Sequence, residues 1–295
     1  MVTRAIEDRV QTATARMEPV EKVGLRAARF LHGAVLKSRR GRAVADLLHG
    51  SWLGHPLHPV LTDVAVGAWV LGGAFDAVGE LTDSDFSRRT GDTLIAVGVV
   101  AAVPTAITGL TDYSTAPKPA VTTATLHGAL NTVGLGLYLL SLRDRRRGRR
   151  ARALVFSSAA LSLASVSAWL GGHLVFKHRV GVDHSDTFAG PSDWTPVMDE
   201  RDLPGLTPMR VEVDGQGVLL YRKGNDIYAI GAVCSHAGGP LEEGRFSDTC
   251  VQCPWHDSVF DLADGSVIHG PATQPQPVFD ARIRGDRIEI KLRAS

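Results

Sequence analysis

Cys234-Ser235-His236 and Cys253-Pro254-Trp255-His256 decide how this chain is read. Each short stretch offers one thiolate and one imidazole, and the 16 residues between them let two loops clasp a metal centre from opposite sides. Two centres accept that ligand set. One is a two-iron cluster, with two thiolates on one iron and two imidazoles on the other. The other is a tetrahedral Cys2His2 zinc ion. Zinc sites of that kind usually pair Cys with Cys and His with His, whereas a mixed pair in each loop suits an asymmetric cluster.

The neighbouring residues extend the pattern through Gly238-Gly239-Pro240-Leu241, Ser258-Val259-Phe260-Asp261, Asp264-Gly265 and Gly270-Pro271-Ala272. With the four ligand candidates, these make residues 205–293 resemble the Rieske [2Fe-2S] family. The resemblance implies that Cys234 and Cys253 bind the buried iron as thiolates, while His236 and His256 bind the outer iron as neutral imidazoles. It also implies a one-electron couple within roughly −150 to +300 mV. Members of respiratory complexes carry an extra Cys in each loop, joined as a disulfide that braces the fingers. Gly239 and Trp255 hold those places here, so the resemblance is to the ferredoxin and oxygenase branch. Asp257 stands where the family usually has Gly, and a carboxylate so close to a cluster lowers its potential.

The composition points to two unlike halves. The chain has 295 residues, 44% of them hydrophobic, with a mean hydropathy near zero and a formal charge of +1, which argues against a nucleic-acid binder. Of its three cysteines, two are ligand candidates. Cys250 is then left without a disulfide partner and reads as a buried strand residue beside the second loop.

Along the chain, Val20, Val23, Ala27, Phe30, Leu31, Val35 and Leu36 recur at helical spacing among basic residues. Residues 1–50 therefore read as an amphipathic helical region, either on a membrane surface or packed on the protein itself. Apolar segments follow at 60–78, 93–110, 124–142 and 153–175, each about the ~20 residues that span a bilayer, and rich in Gly, Ala, Ser and Thr. They assign residues 51–176 to a four-helix transmembrane domain in a bacterial-type cell membrane. A soluble helical bundle fits less well, because no segment keeps a continuous polar face. Asp63 and Asp76, at the two ends of the first span, read either as functional membrane carboxylates or as snorkelling or capping groups. Residues 177–206 are polar, contain three prolines and read as a linker. Strands expected at 209–213, 218–221, 227–230, 278–283 and 287–292 are separated by hairpin turns such as Asp214-Gly215 and Gly285-Asp286. The fold expected is multi-domain: an α-helical four-span membrane bundle followed by a small all-β domain over 207–295.

The membrane half has its own pattern. Gly54-His55-Pro56-Leu57-His58-Pro59 opens the first span, His127 opens the third, and Gly171-Gly172-His173 closes the fourth. With Thr108-Gly109-Leu110-Thr111-Asp112, these residues resemble a family of small bacterial four-helix membrane proteins of undefined function. In alternating helices, His55, His58, His127 and His173 share one membrane face with the cluster domain. Three readings stand: two of them ligate a b-type haem, they bond backbone and neighbouring helices, or they join Asp63 or Asp112 in a mononuclear metal site.

The basic loop Arg143-Asp144-Arg145-Arg146-Arg147-Gly148-Arg149-Arg150 favours the cytoplasm, which places the cluster domain on the outer face. Lys37, Arg39, Arg40 and Arg42 argue for the reverse. The function expected is a membrane-bound one-electron carrier linked to a reductase or oxidase partner, and to a haem or quinone in the membrane. The alternative is a redox sensor whose cluster state signals to a partner. A catalytic oxygenase also needs a mononuclear iron on two His and a carboxylate, and only His269 follows His256.

Overall fold

The computed structural model describes residues 17–36, 38–185 and 190–293. Residues 1–16, part of the expected amphipathic region, lie outside them. The described chain folds as two compact units. A helical unit takes the chain through Ala34 and Leu57–Val180, and a β unit takes Val35–Pro56 with the chain from Gly181 onward.

The helical unit comprises α1 (Glu18–Leu36), whose last residues pass into the β unit, and four long helices. These are α3 (Leu57–Thr82), α4 (Asp85–Tyr113), α5 (Val121–Arg146) and α6 (Arg150–Phe176); α2 (Arg39–His49) belongs to the β unit. Helices α3, α4 and α6 are long and apolar enough to cross a membrane, and α5 falls short by composition. The four expected segments are thus all helical, with three clear candidate spans.

Small residues set the packing, as the composition predicts. Helix α3 buries Ala65, Ala68, Trp69, Gly72, Asp76 and Gly79 at helical spacing. A Cβ on Gly98 of α4 would come within 2.3 Å of the Trp69 indole nitrogen, so only glycine permits this approach. Trp69 stacks on Tyr138 of α5 with ring centroids 4.4 Å apart, an arrangement worth about 0.5–1.5 kcal/mol beyond area burial. Ser84 caps α4 by accepting the Ser87 N–H. Helix α1 packs on the bundle through Gly24, whose carbonyl accepts from the Tyr113 hydroxyl at 3.0 Å.

Asp76 does not snorkel. It is buried and paired with Arg145, while Arg150 reaches Asp76 at 2.8 Å, Asp92 at 2.5 Å and Glu80 at 3.0 Å. Two arginines of the basic loop therefore turn inward to compensate carboxylates on α3 and α4. Asp63 is exposed.

The β unit has two antiparallel sheets. The larger runs in the order β1 (Thr195–Asp199), β10 (Arg287–Leu292), β9 (Val278–Arg284), β4 (Asp226–Gly231), β3 (Gln216–Lys223) and β2 (Met209–Val213). The smaller contains β5 (Arg245–Ser247), β6 (Cys250–Gln252), β7 (Val259–Asp261) and β8 (Val267–His269) in sequence order. All five expected strands form. Strand β1 arises within the stretch expected as linker, because Thr195–Asp199 pairs with β10 from the far end of the chain. Leu219, Ile230, Val251, Phe260 and Leu262 fill a core against which both sheets close. Cys250 opens β6 half-buried, opposite Asp261.

Candidate metal centre

The two Cys-His stretches are loops of the same construction. In the first, after β4, the Cys234 N–H donates to the Gly239 carbonyl at 2.8 Å and the Cys234 carbonyl accepts from the Gly238 N–H at 2.9 Å. In the second, between β6 and β7, the Cys253 N–H donates to Ser258 at 2.8 Å and the Cys253 carbonyl accepts from Asp257 at 3.2 Å. Each cysteine thus closes its loop with the residues four and five places on. The residue four places on has a left-handed backbone in both, with φ +80° at Gly238 and +66° at Asp257. Asp is among the few side-chain-bearing residues that tolerate this conformation, and the Asp257 carboxylate accepts from Gln252 Nε2 at 2.6 Å.

These turns aim backbone amides at the sulfurs. The N–H groups of His236 and Ala237 point to Cys234, and those of Trp255 and His256 to Cys253. The two sulfurs are hydrogen-bond neighbours. Sharing of that bond, with burial, pushes the Cys234 thiol well up, while the same bond and the amides bring Cys253 down to about 7. Both cysteines are almost fully buried, whereas His236 and His256 lie farther out, edge to face, with ring centroids 5.0 Å apart. Burial holds the His236 imidazole well below its ordinary value, and His256, His49 and His184 add to the effect. Burial thus favours the neutral imidazole.

His236 Nδ1 is buried and has no hydrogen-bond partner. Such an orphan costs about 1–3 kcal/mol unless something coordinates it, which fits an iron ligand. A two-iron cluster asks for two ligands per iron, and a sulfur pair beside an imidazole pair supplies them.

The fingers meet without a disulfide. A Cβ on Gly239 would lie 2.8 Å from Cys253 Sγ and 3.2 Å from the Trp255 ring, so glycine lets the indole close over the first finger. A third loop braces both fingers. The Ala272 N–H donates to Ser258 Oγ at 3.0 Å, and Ser235 Oγ donates to the Gln274 carbonyl at 2.7 Å.

Residues 193–280 match the family described as Rieske [2Fe-2S] domain. The chain carries a Rieske domain. N-terminal to it, residues 54–184 form a domain of the family described as predicted membrane protein (DUF2231). The Rieske domain is 27% identical over 106 residues to the anthranilate 1,2-dioxygenase ferredoxin subunit of Burkholderia cepacia, covering 36% of this chain and 98% of that one. It is 27% identical over 99 residues to the ferredoxin component of a naphthalene 1,2-dioxygenase system of Pseudomonas aeruginosa, covering 34% and 95%. Among solved structures it is similar to the ferredoxin of carbazole 1,9a-dioxygenase from Nocardioides aromaticivorans IC177, at 30% identity, coverage of 34% and 98%, and a TM-score of 0.33.

The histidines of the membrane domain are only partly brought together. His58 and His127 lie edge to face at 6.4 Å. His58 Nδ1 meets the Thr105 carbonyl at 2.9 Å; His127 Nδ1 meets that of Ser167 at 2.8 Å, and its Nε2 meets Asn131 at 3.1 Å. His173 stacks on Trp169 and contacts His178. His55 belongs to the β unit, with Nδ1 facing its own Pro56 carbonyl. Sequence reasoning overlooked Asp46, His49, Ser51 and His184. All four act on the Rieske domain from positions outside it, and no local pattern marks them.

Proposed function

We propose that this protein is a membrane-tethered one-electron carrier, with Cys234 and Cys253 on the inner iron of a [2Fe-2S] cluster and His236 and His256 on the outer one. The observation that carries the proposal is the pair of matched fingers, with two buried, amide-solvated sulfurs beneath two less buried imidazoles. When bound, the cluster supplies a one-electron couple. Amides at the sulfurs stabilise negative charge there, the buried core excludes water, and the outer imidazole edges give the electron a short way out. Asp257 adds negative charge next to His256 and biases the couple downward. The relatives are ferredoxin components of dioxygenase systems, which supports a reductase as donor. The acceptor we favour is a quinone or a membrane-bound redox protein.

Connectivity supports four crossings. Val35–Pro56 precedes the four long helices and residues 181 onward follow them, yet both stretches fold into one unit. An even number of crossings allows this and an odd number does not. Helix α5 also joins α6 through the three-residue turn 147–149 and runs antiparallel beside it. We place the Rieske domain on the outer face, with the Arg143–Arg150 turn in the cytoplasm.

The test is a combined optical and electron paramagnetic resonance titration of the purified full-length protein. A Rieske-type signal that appears on one-electron reduction and is lost in Cys234→Ser supports the carrier. Its absence from iron-replete wild-type protein overturns it. The same sample tests a membrane haem: a reducible Soret band supports axial ligation by His58 and His127. Without that band, these imidazoles serve only the interhelical hydrogen bonds they already make. Fast turnover with a reductase separates the carrier from a sensor, for which oxidation would instead change partner binding.

A further inference from the structure

Helix α2 and the turn after it precede the first span in sequence, yet they fold onto the Rieske domain. Ser38 caps the helix start by accepting the Gly41 N–H, and Gly50 ends it in a left-handed conformation. One face is fully covered, with Ala45 and His49 buried. The polar contacts of this segment fall on the loop that braces both ligand fingers. Asp46 Oδ2 lies 2.8 Å from His269 Nδ1, and Oδ1 accepts the Gly270 N–H at 2.8 Å. Ser51 Oγ donates to the Ala272 carbonyl at 3.0 Å, and Gln274 Nε2 donates to the Gly54 carbonyl at 2.5 Å. The loop then reaches the fingers through Ala272 to Ser258 and Gln274 to Ser235.

This segment has no counterpart in the ferredoxin relatives. The Burkholderia protein is matched over 98% of its length by 106 residues of this chain, about the size of the Rieske domain alone. Its position also bears on the electron's exit, because the loop it clamps accepts a hydrogen bond from Ser235, the neighbour of His236, the proposed outer-iron ligand.

We propose that residues 38–56 are a built-in cap on the cluster-binding end of the Rieske domain, clamped by Asp46 to the His269–Ala272 loop, and that its docking restricts which redox partners reach the His236 edge. The proposal rests on the electron-carrier reading. Asp46 acts here as a positioning residue: it touches neither iron ligand and works through the loop. Residues 38–56 and the Rieske domain belong to one chain, so re-docking of the cap is intramolecular. A donor or acceptor small enough to pass the cap exchanges electrons freely. A bulky soluble protein does so only when the clamp opens.

The experiment uses the full-length, iron-loaded protein in detergent, reduced with half a molar equivalent of dithionite, a two-electron donor, and mixed with an oxidant in a stopped-flow instrument. Ferricyanide is the small one-electron oxidant, and oxidised cytochrome c the bulky one. We expect Asp46→Ala to keep the wild-type paramagnetic signal, to oxidise about tenfold faster with cytochrome c, and to change less than twofold with ferricyanide. Ser51→Ala, which removes one bond, should give about a threefold rise with cytochrome c, and it replaces Asp46→Ala if that variant fails to load. An intact signal with unchanged cytochrome c rates overturns the cap. Absence of the signal from the wild type overturns the carrier reading instead. Equal acceleration with both oxidants also overturns the cap, since it points to a general loosening of the cluster rather than to partner selection.

Discussion

At Gly239 a single hydrogen occupies the place where a Cβ would press on the Cys253 sulfur at 2.8 Å. Gly239→Ala must move either the sulfur or the finger, so the cluster should fall to under a tenth of wild-type occupancy by iron analysis and visible absorption. Asp257 presents the opposite case. Its φ of +66° is the left-handed conformation that the matching Gly238 adopts without strain. Asp257→Gly removes the backbone strain together with the bond from Gln252, so the two effects offset and domain stability should change by less than about 1 kcal/mol. It also removes a negative charge one residue from His256, which should raise the reduction potential by roughly tens of millivolts. Redox titration with a parallel thermal melt checks both effects, and an unchanged potential would remove Asp257 from the tuning of the site.

At the scale of elements, helices α3 to α6 are joined by side chains too small to keep their backbones apart, and by one buried ionic cluster. Arg145 and Asp76 are 3% and 6% exposed, and Arg150 and Asp92 extend the pair. A buried charge left without its partner is costly. Arg145→Ala should lower bundle stability by about 3 kcal/mol in a detergent unfolding assay, while Arg145→Met loses less because it leaves no cavity. The inward pair, Arg145 and Arg150, therefore holds α3 and α4 to α5 and α6.

At the scale of the whole molecule, the helical and β units each have their own buried core. A ligand that binds only the native β unit stabilises that unit by mass action. Removing iron with a chelator under reducing conditions should lower the β unit's calorimetric transition by roughly 10 °C or more and leave that of the helices in place. Protease added to intact spheroplasts addresses the outer placement of the Rieske domain: cleavage within residues 177–206 is expected before lysis, and cleavage only after lysis would put the domain in the cytoplasm.

The cluster loops and most of the secondary structure could be read from the amino-acid order, because they follow from local chemistry. One Cys and one His in each short loop define a ligand set, alternating apolar residues define strands, and long apolar runs define helices. Strand β1 was hidden because its partner Arg287–Leu292 lies about ninety residues away. The inward turn of Arg145 and Arg150 was hidden because a run of arginines looks alike whether it meets water or buried carboxylates. The least legible feature was the segment 38–56, which sequence order joins to the membrane helices and which tertiary contacts place on the Rieske domain. Asp46 finds His269 across 223 positions. Local composition specifies what each element is, but a bond between such distant residues depends on where the whole fold carries them.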